Sequence, residues 1–134
     1  LRYVAFELDP AIVRDAHAAG LPVYYGDGTS GDLLDAAGLS RARLLVVTQA
    51  DLASAEKVLD YLRSAAPPVP VMIRTRDEAH VAQLLARGAT EVVPETLEAA
   101  LMIAAHVLLL ADVPADRVMR RLRVEQGARY RLFR

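Results

Sequence analysis

An α/β protein built on a parallel sheet is the fold class this sequence predicts, and two observations carry it. Short apolar runs alternate with helical stretches from end to end, as repeated βαβ units require, because a parallel strand is reached only through a crossover connection. The helical stretches are punctuated in a consistent sense, several opening on Asp or Pro and closing on Gly. A third observation qualifies the first two. No G-x-G-x-x-G occurs anywhere in the chain, so the turn that grips pyrophosphate in dinucleotide-binding sheets is absent from these residues.

In order, Arg2 to Glu7, Pro22 to Tyr25, Leu44 to Thr48, Val71 to Arg74 and Glu91 to Val93 read as strands. Asp9 is the expected N-cap of a first helix with Pro10 at its first position, and Gly20 ends it. Gly38 closes a short helix over Asp32 to Ala37. A longer one runs from about Leu52 to Ala65, before a Pro67-Pro68-Val69-Pro70 linker. Asp77 is expected to begin a helix over Glu78 to Arg87 that Gly88 closes. Glu95 to Ala111 follows, apolar on nearly every side. A single sheet covers only one side of a helix, so this one implies a partner surface. Pro114 is expected to start another short helix, and Arg117 to Arg134 form a basic tail in which seven arginines face only Glu125. The chain divides accordingly into a sheet-bearing domain, residues 1–111, and a C-terminal helix and tail, residues 112–134.

The first strand carries the most information. Its apolar run is closed by a carboxylate, Glu7, just before Asp9-Pro10, which is the pattern of the second strand in a dinucleotide-binding sheet. In the strand order 3-2-1-4-5-6 the first strand is central, so its absence would part the first two strands here from the last three. The expected fold is thus a Rossmann-like parallel sheet lacking its first strand and Gly-rich turn, with a C-terminal dimerisation helix. The alternative is a complete five-strand flavodoxin-like sheet in which Arg2 to Glu7 comes first and pairs with Leu44 to Thr48.

Three stretches at strand ends could hold a ligand. Glu7 can accept both hydroxyls of a ribose and repels a 2′-phosphate, favouring AMP or NAD(H) over NADP(H), unless it merely ends a strand in solvent while Asp9 caps. Gly26-Asp27-Gly28-Thr29 lets the backbone pass close to an adenine edge, or is an ordinary turn. Thr48-Gln49-Ala50-Asp51 ends a strand at the topological switch point, or supplies an N-cap at Asp51.

Together with Glu7-Leu8-Asp9, Ile73-Arg74-Thr75-Arg76-Asp77, Gly88-Ala89 and Val92-Val93-Pro94-Glu95, these stretches resemble the RCK or KTN (TrkA-N) regulatory domains of bacterial potassium transport, most of all those of Kef-type efflux antiporters. The resemblance covers Arg2 to about Ala111. It implies a cytosolic Rossmann homodimer, joined through Glu95 to Ala111, that binds NAD(H) or AMP and passes ligand state to a membrane-embedded pore. It places the ribose on Glu7 beside Asp9, the adenine side on Asp27, Gly28 and Thr29, and the switch-point edge on Thr48. Arg74 and Arg76 would face an anionic ligand or the dimer partner. Gly28 stands where that family commonly has Ala, and in Kef-type members glutathione or its adducts gate transport.

Composition narrows the alternatives. A net charge of −1 and few aromatics speak against a nucleic-acid module, since solvated arginines are the commoner reading of such a tail. Without cysteine the chain has no disulfide, catalytic thiol or thiolate metal site. Its longest apolar stretch, Ala99 to Ala111, is broken by His106 and is shorter than the roughly 20 residues of a membrane span. His17, His80 and His106 fall in no metal or nucleophile spacing, so no catalytic or metal residue is assigned. A dehydrogenase fragment remains the rival reading. It would continue into a substrate domain with a placed acid or base.

Overall fold

A computed structural model describes residues 2–48, 51–65 and 69–132. Five parallel strands alternate with helices: β1 (Ala5–Glu7), α1 (Pro10–Ala18), β2 (Val23–Tyr25), α2 (Gly31–Ala36), a 3-10 turn (Leu39–Arg41), β3 (Leu45–Val47), α3 (Leu52–Ala65), β4 (Val71–Thr75), α4 (Val81–Ala86), β5 (Glu91–Pro94), α5 (Glu95–Leu110) and α6 (Ala115–Leu132). The fold is Rossmann-like. Pro67 and Pro68 of the expected linker, with Gln49 and Ala50 beside the switch point, lie outside the described residues.

The sheet is parted where the sequence places the break. β1 pairs with β2, Ala5 opposite Val23 and Glu7 opposite Tyr25, while β3, β4 and β5 form a separate three-stranded sheet. Among the described residues β1 does not pair with β3, so the flavodoxin-like alternative is corrected. Parallel ladders turn alternate residues to opposite edges. The Ala5 amide donates to Pro22 at 3.0 Å and Leu45 to Pro70 at 2.9 Å, which directs the Phe6 and Val46 backbone groups to the two open edges. Val4, Leu44 and Val46 beside those edges are exposed.

Packing follows the same division. The main core, with Ile73 and Leu84 fully covered, lies where α3 and α4 meet the three-stranded sheet. α1 buries no residue completely, because the two-stranded piece is too narrow to cover it. Caps fall as expected at its ends: Asp9 accepts from the Ala11 amide at 2.8 Å, and Gly20 takes the left-handed conformation at φ 74°.

Two helix boundaries differ from the sequence expectation. α4 begins at Val81 rather than Glu78, because the Asp77 carboxylate accepts from the Ala79 amide at 3.0 Å and caps a turn instead of a helix. The C-terminal segment is not a short helix with a tail but one helix continuing to Leu132. Arg, Met and Leu are strong helix formers, and the pairs Arg120–Asp116 and Arg121–Glu125 at 3.6 and 3.1 Å tie successive turns. α6 packs back on α5 and buries Val118.

Candidate functional site

Parallel strands bring their C-terminal ends to one edge of a sheet, and there the expected residues collect in two groups. Glu7 closes β1. Its Oε1 accepts from the Leu8 amide at 2.7 Å and the Asp9 amide at 2.9 Å, which pins the carboxylate against the backbone and leaves Oε2 without a hydrogen bond among the described residues. Asp9 spends Oδ1 on the α1 cap. The Gly26 amide donates to the Glu7 carbonyl at 3.0 Å, joining the end of β1 to the loop after β2.

That loop is organised from within. Asp27 Oδ1 accepts from the Thr29 amide at 2.9 Å and the Thr29 hydroxyl at 2.7 Å. Those bonds, the backbone one foremost, hold the Asp27 carboxyl below the usual carboxylate range, and Lys57 adds its charge at 3.8 Å. Thr29 is buried. A Cβ at Gly26 would stand 2.6 Å from Leu33 Cδ2 and oblige that side chain to shift; at Gly28 an added Cβ would only touch Phe6 at 3.7 Å. Alanine therefore fits at position 28.

The second group surrounds Arg74 on β4. Its Nε donates to the Thr48 carbonyl at 2.8 Å, and its Nη1 to Glu95 Oε1 at 2.6 Å, so one guanidinium spans the ends of β3 and β5. Below it lies a cavity of about 230 Å³, lined by Asp51, Leu52 and Ala55 of the α3 start, by Arg74 to Asp77, and by Ala79, His80 and Leu84. The Ser54 amide holds the Asp51 carboxyl low by donating to it at 2.8 Å. The Arg76 side chain has no hydrogen bond or ion pair among the described residues, while its carbonyl accepts from the Thr96 amide at 3.1 Å.

Among the described residues the two groups share no direct bond. They are joined through α3, where Lys57 donates to Thr29 and Tyr61 to Asp35. Lys57 and Glu95 are the partners that sequence reasoning missed. Lys57 carried a signal, being the sole lysine against fifteen arginines; Glu95 carried none beyond its place at a strand end.

Residues 2–95 match the TrkA-N domain family. The putative K(+) efflux antiporter KefB of Alkalimonas amylolytica is 48% identical over 132 residues, covering 98% of this chain and 20% of that protein. Among solved structures, the Shewanella denitrificans Kef CTD in AMP bound form superposes with a TM-score of 0.73 at 22% identity, covering 97% of this chain and 93% of that one. The GsuK channel bound to NAD does so at 0.60 and 22%, covering 68% of this chain and 24% of that one. The chain spans between 10% and 20% of the length of the curated relatives it matches.

Proposed function

Because the chain belongs to the TrkA-N domain family, we propose that it is a non-catalytic ligand-sensing domain that binds AMP or NAD(H) and regulates a potassium transporter or channel at the inner face of the membrane. The likeness to a K(+) efflux antiporter supports the transport partner, and the AMP-bound and NAD-bound neighbours support the nucleotide class. The observation that carries the reading is the Glu7 carboxylate. It is fixed at the end of β1 by two backbone amides, with Oε2 open to a ribose hydroxyl. In this assignment Asp9 holds the helix end beneath the ribose, Asp27, Gly28 and Thr29 present the loop to the adenine, and Thr48 forms the far edge. Arg74 and Arg76 supply positive charge for an anionic group.

A second copy of the chain completes the device. α5 leaves Met102, Ile103, Val107 and Leu110 exposed, 86% for Leu110, and helical spacing places them on adjoining rows of one face. Such a mainly apolar face, with the exposed His106 set among these residues, is of the kind a two-fold helix seam buries. A nucleotide that binds one arrangement of the pair better than another shifts the population of the attached pore. Thermal denaturation of the full-length protein with AMP, NADH and NADPH tests the assignment: AMP and NADH raise the midpoint and NADPH does not. An unchanged midpoint with all three overturns it.

A further inference from the structure

Arg74 stands between the nucleotide edge and the start of the helix assigned to the subunit seam. Its Nε holds the Thr48 carbonyl where β3 ends, and its Nη1 holds Glu95, the first residue of α5. β5 runs into α5 without a loop, and the Thr96 amide in the first turn is taken by the Arg76 carbonyl. The Arg74–Glu95 side-chain bond and the Thr96–Arg76 backbone bond thereby tie the N-terminus of α5 to the end of β4. The side-chain bond is the exchangeable one. Arg74 and Glu95 are 45% and 46% exposed, so their attraction is screened by water and modest in strength.

We propose that Arg74 is a positioning residue whose guanidinium is contested by two anions, Glu95 and a phosphate-type group of the nucleotide seated at the end of β3, so that ligand binding loosens the tie on α5. This rests on the nucleotide reading given above and names its route to the seam. Nε and one N–H of Nη1 are in use, so a guanidinium with five donors has N–H groups to offer an incoming phosphate. Bringing that charge beside Glu95 sets like charges on one partner, which weakens the Glu95 tie. By linkage, removing the Glu95 charge must strengthen anion binding by the same factor.

The sign separates this role from a structural one. In the full-length protein Glu95→Gln binds AMP about two- to fivefold more tightly, the range an exposed ion pair supports, while adenosine, which has no phosphate, binds as to the parent. Arg74→Gln weakens AMP, and adding Glu95→Gln to it produces no further change. Calorimetric titrations with AMP and adenosine read all four proteins. Equal changes for AMP and adenosine in Glu95→Gln, no change in either, or additive effects in the double variant would overturn the proposal while leaving the nucleotide reading in place. Failure of the parent to bind both ligands defeats the nucleotide reading and the proposal with it.

Discussion

Lys57 Nζ donates to Thr29 Oγ1 at 2.9 Å, and through it α3 of the three-stranded piece grips the loop that follows β2 of the two-stranded piece. The sheet fragments share no strand pairing among the described residues, and this contact, the Lys57–Asp27 ion pair and the Tyr61–Asp35 bond at 2.5 Å are side-chain ties between them. The loop presented by that grip is the one assigned to adenine. Its order therefore bears on both stability and binding.

Acid should loosen the loop through Asp27. Bonds from Thr29, and Lys57 nearby, depress its folded pKa. Its stabilisation is thus complete above the unfolded value of about 3.9 and is lost as pH falls through the lower folded value. Thermal midpoints taken from about pH 5 to about pH 3 should fall less steeply in Asp27→Asn than in the parent. Parallel curves would remove Asp27 from the account.

Gly31 is fixed by close approach rather than by backbone conformation. A Cβ at this first position of α2 would overlap the Tyr61 ring, displacing the side chain that bonds Asp35. Gly31→Ala should cost about 1–3 kcal/mol in chemical denaturation, as overpacking does. In a Tyr61→Ala background the same change should be neutral or stabilising, since alanine is the better helix former. An equal cost in both backgrounds would place the strain elsewhere.

The α5 seam makes an independent prediction. Ile103 is 64% exposed in the single chain, so Ile103→Glu should leave its folding intact while placing a charge in a desolvated interface. Sedimentation equilibrium should find a dimer in the parent and association weakened roughly tenfold or more in the variant. A parent that stays monomeric across the concentration range contradicts the seam.

Much of this was legible in the sequence. Strand alternation, the Asp9-Pro10 and Gly20 punctuation and the parting of the sheet all follow from local pattern and strand order, which leave few alternatives once Glu7 is read as ending a second strand. What escaped was tertiary. Asp77 carries the same sequence signal whether it caps a turn or a helix, and only the Thr75 hydroxyl on its carbonyl and the Ala79 amide on its carboxylate decide. The arginine-rich end reads as a tail by charge, yet it packs as a helix on α5. The Arg74–Glu95 pair joins residues 21 apart, beyond the reach of any periodicity.

The central claim is that Glu7 seats an unphosphorylated ribose. Calorimetric titration of the full-length protein with AMP tests it most directly, using the parent, Glu7→Ala, and a 2′-phosphorylated adenosine ligand as the discriminating control. One saturable site per chain is expected in the parent, with loss of most of that affinity in Glu7→Ala and little binding of the 2′-phosphorylated ligand. AMP bound equally well by Glu7→Ala, or a 2′-phosphate accepted as readily as a free hydroxyl, would contradict it.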